Sequence, residues 1–245
     1  MIIAILMGRK GSKGFPGKNM FNVLGRALAY YPMTAAKNCS EIERTYLSTD
    51  DEDLMKLAGK NDVEVIKRPH ELCADEALGE DVYAHAYDVA KQRNSADEIE
   101  MIVLLMCNAP AITSKKISEG IKALKDNPVF DSAVTVSKYN MWSPLRARRV
   151  DNDGLLHSFV PLESIGDPKT LNCDRDSQGD VWFADMGVSI IRPRCLDNLN
   201  EGLLPQKWMG QKIYPLKQWG GLDVDYEWQI PQAEYWLKEH GFTEA

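Results

Sequence analysis

Cysteine is scarce and scattered in this chain. Only five occur in 245 residues: Cys39, Cys73, Cys107, Cys173 and Cys195. The count is odd, the spacing is wide and no Cys-x-x-Cys occurs. That excludes a disulfide framework and a cysteine-based zinc site, and the sequence reads as a cytoplasmic protein with reduced thiols. Long apolar runs are also missing. The N-terminal run, Ile2 to Met7, is six residues, against about 20 for a membrane-spanning helix. No signal-peptide pattern follows it, so no membrane association is expected. Excess positive charge is absent as well. The formal net charge is -7, which argues against non-specific nucleic-acid binding. There is no internal repeat, low-complexity segment or long linker.

What is present is concentrated at the start. Six apolar residues, Ile2-Ile3-Ala4-Ile5-Leu6-Met7, read as a buried, central, parallel strand. The twelve residues Gly8 to Asn19 follow, with four glycines, one proline and the four cations Arg9, Lys10, Lys13 and Lys18. Such a segment is a loop. Glycine lets the backbone approach a ligand and turn successive N–H groups inward, while the cations bring charge to the same spot. The end of a first strand in an open α/β sheet is where such folds bind ligands. The unit therefore reads as a cradle for several phosphate groups. It is not a Walker loop, because five residues separate Gly11 from Gly17 and Asn19 stands where the magnesium-binding hydroxyl is required. The spacing Gly8, Gly11, Gly14, Gly17 is not the dinucleotide fingerprint either.

The pattern Arg9-x-x-Ser12-Lys13-Gly14-x-Pro16-x-Lys18-Asn19 resembles the signature loop of the cytidylyltransferases that activate acidic sugars, the N-acylneuraminate cytidylyltransferases above all. The resemblance continues in Ser48-Thr49-Asp50, in Arg68-Pro69-His70-Glu71-Leu72-Cys73-Ala74-Asp75, and in Asp223-Val224-Asp225. It implies that Met7, Gly8, Arg9, Gly11, Ser12, Lys13, Lys18, Asn19 and Arg68 bind CTP. Arg9, Lys13 and Lys18 are the implied catalytic cations, and Asn19 and Arg68 frame the base.

The remaining chain alternates strands and helices. Strands are expected at 44–48, 63–66, 99–106, 132–136, 181–191 and 213–216, and helices at 27–39, 79–92 and 114–127, with a last helix ending near residue 241. Thr49 or Asp50 is expected to cap the helix after the second strand, and Ser114 to begin another. Residues 138–180 have few apolar runs, with Asp153-Gly154 marking a hairpin turn. In the resembling family this region packs on a second subunit, so a homodimer is expected.

Asp223 and Asp225 are two apart, and strand alternation would put both on one face. Paired carboxylates repel unless a cation lies between them, and Mg2+ favours carboxylate and phosphate oxygens. The bland alternative is that Asp225 caps the last helix. Two stretches depart from the family. Cys107-Asn108-Ala109-Pro110-Ala111-Ile112 lacks the glutamine, threonine, serine and arginine of the sialic acid enzymes. Ala184-Asp185-Met186-Gly187 lacks their sugar-binding arginine and keeps only the glycine. Asn108, Asp185 and Gly187 are the expected acceptor-site residues, with Arg175 as replacement cation.

The expected fold is α/β: a three-layer, mostly parallel sheet of the nucleotide-diphospho-sugar transferase kind (Rossmann-like). One domain spans 1–245, with 138–180 a projecting arm. The expected activity is transfer of CMP from CTP to the hydroxyl of an acidic, sialic-acid-like sugar, with Mg2+ as cofactor. Two other readings stay open: a nucleotidyltransferase with another acceptor or nucleotide, and a nucleotide-binding relative without catalysis.

Overall fold

The computed structural model describes residues 1–174 and 179–244. Arg175 lies outside the described residues. A seven-stranded sheet organises the chain. Its strands are β1 (Ile2–Met7), β4 (Arg44–Thr49), β5 (Glu64–Lys67), β6 (Met101–Met106), β7 (Ser132–Lys138), β10 (Trp182–Ile191) and β11 (Ile213–Gln218). Two small hairpins add β2 (Asn22–Val23) with β3 (Arg26–Ala27), and β8 (Arg148–Val150) with β9 (Leu156–Ser158). The order across the sheet is β11-β7-β10-β6-β1-β4-β5. Every neighbouring pair is parallel except those of β10, which runs antiparallel to both β6 and β7.

Burial explains why these segments are strands. In β1, Ile3 and Ile5 face one helical layer while Ala4 and Leu6 face the other, all with no exposure. A parallel strand covered on both sides needs an unbroken apolar run, and β1 and β6 both have one. One layer holds α1 (Tyr30–Lys37), α2 (Glu52–Lys60) and α4 (Ser114–Asp126); the other holds α3 (Gly79–Arg93) and α5 (Arg194–Asp197). The last helix, α6 (Ile230–Glu239), buries Trp236 and Leu237 in a third cluster with Phe15, Leu28 and Tyr31. The end of the chain is thereby fastened to the segment that follows the glycine loop.

Several local expectations are corrected. The first helix begins at Tyr30 rather than Ala27, because residues 22–27 form a tight hairpin whose turn places Leu24 and Gly25 at positive φ. Pro32 then falls in the first helical turn, where a missing N–H costs nothing. Asp51, not Thr49 or Asp50, caps α2, accepting from the amides of Asp53 and Leu54. Helix α4 does begin at Ser114, with Thr113 just before it as the cap. Residues 221–225 are not a strand.

Strand β10 carries an irregularity. Its register against β7 shifts between Ala184 and Ser189, and Met186 sits at φ 61°. A bulky residue in the left-handed region is a local outlier, and such bulges re-aim side chains near sites. The chain leaves the carboxyl end of β7 and re-enters the sheet at β10.

Candidate active site

The chain moves outward from β1 to β4 and β5, then crosses back to β6 on β1's other side. The carboxyl ends of β1 and β6 therefore flank a topological switch point, where open α/β sheets bind ligands. A cleft opens there. Its lining includes Met7, Gly8, Arg9, Ser12, Lys18, Asn19, Arg68, Asn108 and Asp225, nine residues picked out by the sequence. It also includes Leu72, Ala74, Ala77, Gly79, Val82 and Met106, which the sequence reading did not assign to a site. These are small or apolar residues. Only their position just after Arg68, at the start of α3 and at the end of β6 could have flagged them.

The glycine loop is held from three sides. Asp50, at the end of β4, accepts from the Lys10 amide at 2.9 Å. Asp75 takes Arg9 on one carboxylate oxygen at 2.6 Å and Lys13 on the other at 2.5 Å. Those two contacts hold the Asp75 carboxyl below its usual range. Asn19 is buried and its side chain donates to the Arg9 carbonyl. Gly17 adopts φ 73°, which turns the chain into the short helical turn that begins at Lys18.

Arg68 is 6% exposed. Its guanidinium donates to the Ser48 carbonyl at 2.8 Å and to the Gly8 carbonyl at 3.4 Å, bracing the ends of β4 and β1. Burial pushes its pKa down.

The far end of the chain comes to the same place. Lys18 Nζ lies 2.5 Å from Asp225 Oδ1, although 207 positions separate them. A Cβ on Gly14 would stand 2.8 Å from the Asp225 carbonyl oxygen, so the loop packs against that backbone with no space to spare. Asn108 and Val224 exchange two hydrogen bonds, of 2.8 and 3.0 Å, which tie the acidic segment to the end of β6. The Asn108 side chain is engaged in that tie. Asp225 does not cap the last helix: its amide and that of Tyr226 donate to the Gln229 side chain.

Asp223 and Asp225 flank the buried Val224. Burial pushes the Asp223 carboxyl up and the Asp225 charge adds to it, with Lys18 opposing. A carboxylate raised by a carboxylate neighbour is a seat suited to a cation. Among the described residues no cluster of three or more His, Cys, Asp or Glu side chains could hold a metal unaided. Two carboxylates fit an ion such as Mg2+, which is commonly bound by one or two carboxylates plus substrate phosphates.

Asp185 is 4% exposed. Its oxygens accept from Ser137 at 2.6 Å, Gln218 at 2.9 Å and the Gly187 amide at 3.1 Å. Ser137 in turn accepts from the Gly221 amide, so this network underlies the acidic segment from beneath. Gly187 packs against Thr135, Ala111 and Gln218. None of Asp185, Gly187, Gly11, Lys13 and Asp223 lines the cleft.

Known proteins give this geometry a context. A family model described as cytidylyltransferase matches residues 3–152. An N-acylneuraminate cytidylyltransferase of Escherichia coli is 28% identical over 162 residues, covering 66% of this chain and 37% of that protein. One from Oncorhynchus mykiss is 24% identical over 98% of this chain and 51% of its own length. A pseudaminic acid cytidylyltransferase of Campylobacter jejuni is 26% identical over 56% of this chain and 59% of its own length. This chain thus spans between about a third and three fifths of these relatives. Among solved structures, a CMP:2-keto-3-deoxy-manno-octonic acid synthetase complexed with CTP has the same fold, with TM-score 0.68 and 13% identity, covering 98% of this chain and 99% of that one. A 4-diphosphocytidyl-2C-methyl-D-erythritol synthase from Anaerococcus prevotii gives 0.57 at 14% identity, covering 97% and 96%. The family match spans more than half of the chain and contains the whole glycine loop, and the protein belongs to the cytidylyltransferase family.

Proposed function

We propose that this protein transfers CMP from CTP to a hydroxyl of an acidic sugar of the sialic-acid kind, releasing pyrophosphate. The observation that carries the reading is the meeting of two distant parts of the chain. A glycine loop with four cations, at the end of β1, touches a two-aspartate segment through Lys18 and Asp225. A nucleoside triphosphate with a divalent cation has the matching charge pattern. The names of the relatives from Escherichia coli and Campylobacter jejuni favour an acidic sugar as acceptor.

In the reaction the acceptor hydroxyl gives up its proton to solvent, its oxygen forms a bond to the α-phosphorus, and the bond from that phosphorus to the bridging oxygen breaks. Pyrophosphate leaves with the electron pair. Little covalent chemistry falls to the protein, so alignment and charge neutralisation dominate. Arg9, Ser12, Lys13 and the loop amides bind the triphosphate, and Gly11 lets the loop fold around it. Lys18 meets the charge that develops at the reacting phosphate. Met7, Gly8, Asn19 and Arg68 shape the base end of the cleft. Asp223 and Asp225 would hold Mg2+, which, when bound, offsets phosphate charge and lowers the barrier to attack. The acceptor would enter beside Asn108, which lines the cleft, while Asp185 and Gly187 act from outside it through the network that holds the acidic segment.

The arm supports a homodimer. Trp142, Leu155, Leu156 and Phe159 are each more than half exposed, and a projecting apolar surface of this kind suits a second copy. Five free thiols and dependence on CTP suit the cytoplasm. The test is pyrophosphate release with each of the four common nucleoside triphosphates, Mg2+ and a panel of keto-sugar acids. Release with CTP and a nine-carbon acid supports the reading. Release with a different nucleotide or a different acceptor class replaces it, and CTP binding without release on any acceptor favours a non-catalytic relative.

A further inference from the structure

Asp75 lies in sequence between Ala74 and Ala77, two residues that line the cleft, and reaches the glycine loop at the cleft's edge. One of its oxygens takes the Arg9 guanidinium and the other the Lys13 ammonium. A second Arg9 nitrogen donates to the Cys73 carbonyl at 3.1 Å, two residues earlier. The segment after β5 thus grips the same two cations that the proposed function gives to the triphosphate. The Asp75 side chain is 32% exposed and that of Lys13 is 78% exposed. Contacts this open to solvent exchange readily and are individually weak. A polyphosphate entering the loop therefore meets cations whose charge is already balanced.

We infer that Asp75 is a displaceable counter-anion that competes with polyphosphate for Arg9 and Lys13, yielding them when the triphosphate binds and reclaiming them as pyrophosphate leaves. This inference rests on the nucleotidyltransferase reading and adds a specificity-determining residue to it. The competition weakens only those ligands that use Arg9 and Lys13. Cytidine, which carries no phosphate, is indifferent to it. The consequence is faster release of pyrophosphate, the product that would otherwise cling to a loop rich in cations. A residue that merely aimed Arg9 and Lys13 at the ligand would act in the opposite sense, since its loss would weaken polyphosphate binding.

The test is calorimetric titration of the full chain with pyrophosphate, CTP and cytidine in metal-free buffer, for the unaltered protein, Asp75→Asn and Asp75→Glu. Asp75→Asn should bind pyrophosphate and CTP about 3- to 10-fold more tightly, the range that two partly exposed ion pairs allow, with cytidine unchanged. Asp75→Glu, which keeps the charge, should stay within about twofold of the unaltered protein. Weaker or unchanged pyrophosphate binding by Asp75→Asn overturns the inference alone, as does an equal gain for cytidine. Failure of every variant to bind either CTP or pyrophosphate overturns the inference together with the nucleotidyltransferase reading.

Discussion

Replacing Lys18 by alanine separates what this residue does for the fold from what it does for the reaction. The Lys18 side chain is 12% exposed, but its partner Asp225 is 56% exposed. An ion pair with one solvated member contributes about 1 kcal/mol or less to stability. For a chain of 245 residues that corresponds to a fall in Tm of about 2–4 °C. The effect on turnover should be of another order. A positioned cation at a phosphate that gains charge in the transition state contributes about 3–4 kcal/mol, or about 10²- to 10³-fold in kcat. Pyrophosphate release and thermal melting, measured on the same Lys18→Ala preparation, should therefore diverge. Lys18→Arg should recover part of the rate, because the charge is kept while the reach changes. Turnover within about threefold of the unaltered enzyme would remove Lys18 from the mechanism. A loss of rate matched by a collapse in Tm would show that the Lys18–Asp225 contact is structural.

Other outcomes follow from the same geometry. Asp223→Asn should raise Tm at neutral pH in metal-free buffer while abolishing turnover. The Asp223 pKa is raised by burial and by Asp225, so its charged form opposes folding. The aspartate's favourable contribution is present at low pH and is lost as pH rises through the raised value, so the gap in Tm should open from the ordinary aspartate range upward. A lower Tm for Asp223→Asn at pH 7 would contradict this. Gly14→Ala should cost about 1–3 kcal/mol by overpacking, since the new methyl meets the Asp225 carbonyl oxygen at 2.8 Å. It should also lower kcat/KM by about 100-fold through misplacement of the loop; normal melting and turnover would show that the loop and the acidic segment move independently. Leu156→Asp combined with Phe159→Asp should yield monomers in light scattering, and an unchanged mass would place the proposed dimer contact elsewhere.

Much of the scaffold was legible because burial leaves a plain mark. The unbroken apolar runs of β1 and β6 can only be central strands, and the glycines and cations after β1 had no core to join. The glycine loop, Arg68 and Asp225 surround one cleft because parallel strands place all their carboxyl ends on one edge. What was not legible depends on three-dimensional neighbours. The antiparallel sense of β10 leaves no trace in composition, since an apolar run reads the same in both directions. The hairpin before α1 was hidden by Leu24, which stands at a positive-φ position where Asn or Gly is usual. Asp185 read as a residue facing an acceptor, whereas its carboxylate is enclosed by Ser137, Gln218 and Gly187. Asp75, at the end of a stretch noted for Arg68, showed no sign that it would reach back to Arg9 and Lys13 across 66 and 62 positions.

The proposed reaction requires a divalent ion and a triphosphate to share the space between the glycine loop and the acidic segment. Anomalous scattering from crystals grown with CTP and Mn2+ tests this most directly. A manganese peak in contact with Asp223 and Asp225, with phosphate density against Arg9, Lys13 and Lys18, is the expected result. A triphosphate bound elsewhere, or manganese absent from that pair of aspartates while the nucleotide is present, would contradict it.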